Sequence, residues 1–170
     1  MTFVSIEPWG RDDGPLLVAL LGDPEMTRFL GGPESDEKLS LRQGRYEVPG
    51  SRQYKVLVDG QPCGYVGYWE HEWQGAPAWE AGWSVLPAFQ GRGVATAAMR
   101  LLLEVVRSDD AAKSVHAFPS VENAASNALC QKLGFKLVGP LDLEYPPGQP
   151  LRCNDWRLDN ELSGAHGASG

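Results

Sequence analysis

Two periodicities divide the chain. Short runs rich in β-branched and aromatic residues, most of them closed by Pro, Gly or Asp, carry the signature of strands; they fall at 2–9, 54–58, 63–70, 79–85, 114–118, 136–143 and 151–158. Apolar residues at helical spacing predict helices over 16–21, 25–30, 34–46, 96–107 and 123–133. Glycine and proline punctuate them. Gly22 closes the first helix, Gly31-Gly32-Pro33 breaks the second, and Gly134 stops the last. Asp59-Gly60 signals a tight hairpin between two strands. Residues 71–78, with Gly75 and Pro77, read as a loop, and 145–148 as a turn. No repeat or linker interrupts the pattern, so 1–160 is expected to be one mixed α/β domain and 161–170, small and polar, a flexible tail.

The most informative stretch is 79–107. A strand ends at Val85-Leu86-Pro87, and a helix follows with Val94, Ala98, Leu101, Leu102 and Val105 on one face. Between them lies Ala88-Phe89-Gln90-Gly91-Arg92-Gly93-Val94-Ala95. The first turn of a helix holds backbone N–H groups without intrahelical partners, and the helix dipole adds partial positive charge there. Two glycines without Cβ allow a phosphate close approach. The loop is therefore expected to bind a phosphate or pyrophosphate. It is not a Walker loop, which needs Gly-Lys-Ser/Thr. It nearly fits the dinucleotide pattern Gly-x-Gly-x-x-Gly, but Thr96 takes the third glycine position and residues 86–90 separate the strand from the first glycine.

Gln90-Gly91-Arg92-Gly93-Val94-Ala95, following Val85-Leu86-Pro87, resembles the acetyl-CoA signature of the GNAT acetyltransferases, Gln/Arg-x-x-Gly-x-Gly/Ala. Asn123 to Phe135 is similar to that family's second CoA-side helix, and Asp23 to Gly32 to the acceptor-side segment of the branch that includes the ribosomal-protein alanine acetyltransferases. The three come in family order. The resemblance implies a mixed, mostly antiparallel sheet splayed at its middle and flanked by helices. It implies acetyl-CoA as acyl donor, no metal, and transfer to a primary amine by direct attack in a ternary complex. The amine is a protein N-terminus or a small molecule. The rival readings are an acyl-CoA sensor without turnover and a dinucleotide-binding protein.

Composition narrows the classes. At 170 residues and 42% hydrophobic, the chain can bury a core. A net charge of −7 argues against a nucleic-acid partner. No apolar run reaches membrane-span length and the N-terminus lacks a secretory pattern, so no membrane partner and a cytoplasmic location are expected. Cys63, Cys130 and Cys153 lack metal spacing and are expected reduced and buried. A homodimer is compatible with the sequence.

Site residues follow from alternation and from the resemblance. In the 79–85 strand Glu80, Gly82 and Ser84 share one face and Trp79, Ala81, Trp83 and Val85 the other. By resemblance, the Val85 N–H polarises the thioester carbonyl, Gln90, Gly91, Arg92, Gly93, Val94 and Ala95 hold the pyrophosphate, and Asn123 contacts the pantetheine region. Glu80 matches a frequent carboxylate of the branch and is the candidate base, with its pKa raised by burial or acting through water. A structural hydrogen-bonding role is its alternative. Glu70, His71 and Glu72 form a rival base cluster, and His116 reads as a core histidine. The family's frequent Tyr proton donor is absent, its position taken by Cys130; Ser126 is the substitute, as general acid and CoA contact, with capping or packing as its alternative.

Overall fold

The computed structural model describes residues 2–145 and 147–160. Seven strands form one sheet: β1 Val4–Pro8, β2 Gln53–Val58, β3 Gln61–Trp73, β4 Ala76–Val85, β5 Ser114–Ala117, β6 Lys136–Glu144 and β7 Pro150–Asp159. Four α-helices accompany them: α1 Gly14–Leu21, α2 Asp36–Tyr46, α3 Val94–Arg107 and α4 Ala124–Lys132. The sheet order is β1-β2-β3-β4-β5-β7-β6, antiparallel at every pairing except β4 with β5.

That exception shapes the molecule. β4 and β5 pair only at Trp79↔Val115 and Glu80↔His116. The next residues of β4 keep their partners on β3, through Val85↔Gly64, and have none on β5. The sheet is thus splayed at its centre, as expected. The Leu86 N–H donates to the Cys63 carbonyl at 2.8 Å. Backbone groups of successive residues face opposite sides of a strand. The amide of Val85 therefore faces the gap, as do those of Ala81 and Trp83.

The two faces of the sheet bury different helices. Val94, Ala98, Met99, Leu102 and Val106 of α3 pack with Leu129 and Cys130 of α4 onto Val66, Tyr68, Trp79, Ala81, Val85, Val115 and Ala117. On the other face Leu17 and Leu20 of α1 and Leu39 and Tyr46 of α2 enclose Trp9 and Tyr65. Tyr46 stacks on Tyr65 with ring centroids 5.2 Å apart. The buried stripe of α3 differs from the expected one: Leu101 and Val105 are half-buried at its edge, while Met99, Leu103 and Val106 are buried. The seam follows the ridge of side chains four apart, 94-98-102-106, with a second ridge through 99 and 103.

Two other expectations change. Residues 71–78 are not a loop: β3 and β4 continue to Trp73↔Ala76, and Gln74 and Gly75 alone make the turn, both at positive φ (50° and 77°). This two-residue connection has the same signs as Asp59-Gly60, but glutamine at its first position hides it. Residues 25–30 form successive turns rather than a helix. Asp23 Oδ1 accepts from the Glu25 N–H at 2.9 Å, and the buried Thr27 hydroxyl donates to the Asp23 carbonyl at 2.8 Å. Such short-range bonds compete with a helix. The expected tail falls at 161–170, outside the described residues.

At Gly64 the sheet tolerates no side chain. A Cβ there would lie 2.5 Å from the Ser84 carbonyl oxygen. Gly64→Ala is expected to lower stability by about 1–3 kcal/mol, the usual range for an overpacked site, read from the midpoint of urea unfolding.

Candidate active site

A one-turn 3-10 helix, Pro87–Phe89, carries the chain from β4 to α3. Gly91 and Gly93 then adopt φ of 75° and 74°, the left-handed region, and Gly93 caps α3. A Cβ at either glycine would meet nothing within 4 Å, so the loop surface is open. The first intrahelical bond runs from the Ala97 N–H to the Gly93 carbonyl at 3.0 Å, leaving the amides of Val94, Ala95 and Thr96 as outward donors. Gln90 ties the loop to the strand: its Nε2 donates to the Val85 carbonyl at 2.8 Å. Arg92 is exposed, its guanidinium 5.7 Å from the Phe89 ring centroid.

The second helix start lies close to the same strand. Asn123 caps α4, its side chain accepting from the Ser126 N–H at 3.1 Å. Ser126 Oγ accepts from the Trp83 indole N–H at 3.2 Å, which leaves the hydroxyl proton free to donate. Gln90 to Ala95, Val85, Asn123 and Ser126 thus gather about the open end of β4. Glu80 stands apart from Ser126, on the opposite face of the sheet.

Glu80 has companions that the sequence reading did not give it. Its Oε2 accepts from the Trp69 indole N–H at 2.8 Å and lies 3.7 Å from His71 Nδ1. The side chains of Glu80 and His71 are 25% and 31% exposed, so both remain reachable from outside. Burial raises the Glu80 pKa above the ordinary carboxylate value; the Trp69 bond and His71 pull the other way without cancelling it. Beside it, on β5, His116 is fully buried, its Nδ1–H donating to Asp155 Oδ1 at 2.6 Å while Trp73 donates to the other oxygen at 3.0 Å. Trp69 and His71 share Glu80's face through the β3–β4 register. Only the unrecognised Gln74-Gly75 turn concealed that.

Cys130 lies in the core at 0% exposure, and burial pushes its thiol up to about 12. Among the described residues no group of three or more His, Cys, Asp or Glu is arranged to hold a metal, and no helix is long and apolar enough to cross a membrane.

Residues 4–136 match the family model for the acetyltransferase (GNAT) domain. The chain belongs to the GNAT acetyltransferase family. By that membership it is an N-acetyltransferase. Its fold is shared with solved structures of low identity. A GNAT-family acetyltransferase from Bacillus anthracis is 16% identical with a TM-score of 0.78, covering 94% of this chain and 96% of that one. An acetyltransferase from Salmonella typhimurium that modifies the N-terminal serine of ribosomal protein L7/L12 is 20% identical, with a TM-score of 0.74 and coverages of 92% and 94%. A putative acetyltransferase from Salmonella typhimurium, solved with acetyl-CoA, is 18% identical, with a TM-score of 0.71 and coverages of 95% and 96%.

All three cysteines are free and buried. The native protein is expected to leave Cys63, Cys130 and Cys153 unmodified by iodoacetamide at neutral pH, because the reactive thiolate is suppressed; unfolding in urea should expose all three. Mass spectrometry of the two reactions checks this.

Proposed function

We propose that this GNAT domain transfers the acetyl group of acetyl-CoA to a primary amine by direct attack, with Glu80 as the base. One observation carries the reading: a half-buried carboxylate of raised pKa sits beside His71 on β4, level with the point where β4 and β5 part. An amine is protonated at neutral pH and must lose a proton to attack. A carboxylate with an elevated pKa accepts that proton better than an ordinary one. His71 Nδ1 lies 3.7 Å from Glu80 Oε2, close enough for one water to bridge the two side chains.

The donor side follows from the two helix starts. The loop Gln90, Gly91, Arg92, Gly93, Val94 and Ala95 offers outward amides to the pyrophosphate, with Arg92 adding positive charge. Asn123 and Ser126 flank the pantetheine arm. The Val85 N–H, facing the gap, donates to the thioester carbonyl oxygen as negative charge grows there. Gln90 bonds the Val85 carbonyl from the same side at 2.8 Å and so ties the loop to the strand next to that N–H. The Ser126 hydroxyl, with its proton free, serves the departing thiolate. The Salmonella acetyltransferase of similar fold acts on a ribosomal protein N-terminus, and a protein N-terminus or small-molecule amine is the acceptor proposed here.

Two variants test the assignment by thiol release from acetyl-CoA against a panel of amines and N-terminal peptides. Glu80 must be ionised to act, so kcat/KM is expected to rise as pH climbs through its elevated pKa; Glu80→Gln should lower turnover, abolish that rising limb and leave CoA affinity similar. Retained turnover with the same pH profile excludes Glu80 as base. The native state also binds the Glu80 proton more tightly than the unfolded chain, so stability falls as pH rises from the unfolded pKa to the folded one. Glu80→Gln is therefore expected to raise the melting temperature at neutral pH. Gly93→Asn keeps the left-handed backbone accessible but fills the open surface. Losing one charge-assisted hydrogen bond, about 1.5–3 kcal/mol, should weaken CoA binding roughly ten- to hundredfold in calorimetry. Unchanged affinity refutes the loop.

A further inference from the structure

On the same face of the sheet as Glu80 lies a cavity of about 250 Å³ between the α1–α2 segment, α2 and the β6–β7 turn. Leu21 lines it beside the buried Thr27, and Leu30 and Leu41 stand exposed at its rim. Leu21 also belongs to the cluster that holds Met26 and Leu86, the residue that follows β4, so one lining residue connects the cavity wall to that packing.

The polar lining is unbalanced. Three cations, Lys38, Arg42 and Arg45, face one carboxylate, Glu34. That carboxylate is already taken: Arg42 Nε donates to Glu34 Oε2 at 2.9 Å, and the same guanidinium donates to the hydroxyls of Tyr46 at 3.0 Å and Tyr145 at 3.2 Å. Among the described residues Lys38 and Arg45 have no ion-pair partner, and both are exposed, two turns apart on the face of α2 that rims the cavity. A chain of net charge −7 thus turns a positively charged mouth toward whatever enters here. A cationic acceptor such as a polyamine would meet repulsion at this mouth, whereas an amine that also bears a carboxylate would be drawn in and held by its far end.

We propose that the acceptor is a carboxylate-bearing amine, its anionic group received by Lys38 and Arg45 while its amino group reaches toward Glu80. The inference rests on the acceptor-side reading above, and its test separates the two. The full chain is assayed for thiol release with a short peptide carrying Glu at its second and third positions, its Gln isostere, free glutamate and spermidine, at low and at high salt. The expected result is a KM roughly tenfold or more lower for the Glu peptide than for the Gln peptide, shrinking at high salt as the screening length falls from about 10 Å at 0.1 M to about 3 Å at 1 M. The preference should be lost in the double variant Lys38→Glu, Arg45→Glu, whose CoA affinity is unchanged. A better rate with free glutamate than with the peptide assigns the carboxylate to a small acceptor. Equal or lower KM for the Gln peptide or spermidine overturns the proposal. If no acceptor in this panel releases thiol, the inference is judged by thermal shift: the Glu peptide must raise the melting temperature more than its Gln isostere, and equal shifts overturn it.

Discussion

The structure depends on a hydrogen-bond ladder that stops early. β4 and β5 share two register positions and then part. A buried backbone amide left without a partner costs free energy, so such gaps are rare unless something is meant to fill them. Here the unpaired side of β4 lies between two helix N-termini, those of α3 and α4, whose own amides are also without intrahelical partners. Three sets of backbone donors therefore converge. Neither α3 nor α4 places an acidic residue in its first turn to quench that field. The parted strands and the two helix starts thus present unpartnered amides to one region.

Keeping the strands apart requires rigid supports on either side. β4 remains fully paired to β3 through ten register positions, and its Trp79, Ala81 and Val85 are locked into the core with α3. On the far side Asn127 braces α4 against β7. Its Nδ2 donates to the carbonyls of Ser120 and Asn123 at 2.9 and 2.8 Å, and its Oδ1 accepts from Asn154 and Trp156 at 2.9 and 2.8 Å. All four polar valences of one amide are thus used. The helix that flanks the gap cannot slide toward β4 without breaking them.

What the sequence made legible was whatever is local. The Gln90–Ala95 loop is a run of adjacent residues, and its conformation follows from glycine stereochemistry alone. The strand ending at Val85 and the cap at Asn123 are local for the same reason. The neighbours of Glu80 are not: Trp69 and His71 meet it only through hairpin register, which depends on Gln74-Gly75 turning without an intervening loop. The Arg42–Tyr145 contact joins residues 103 apart and leaves no trace in spacing. The turns at 25–30 defeated the helical pattern because Asp23 and Thr27 satisfy backbone groups by side-chain bonds that periodicity does not see.

Gly82 shows how the site reaches back into the composition of the sheet. Glycine inside a strand weakens it, through lost chain entropy and an absent side chain. At this position a Cβ would lie 2.9 Å from Cη2 of Trp69. The bare backbone lets the indole lie across β4, and only from there does its N–H reach Glu80 Oε2. That bond favours the ionised carboxylate while burial opposes it, and His71 adds to the side of the bond. The carboxylate's pKa is therefore raised by burial and held back by the indole bond and His71. A larger residue at 82 would displace the indole and leave His71 alone against burial. The glycine that weakens the strand is what gives the indole room to bond Glu80.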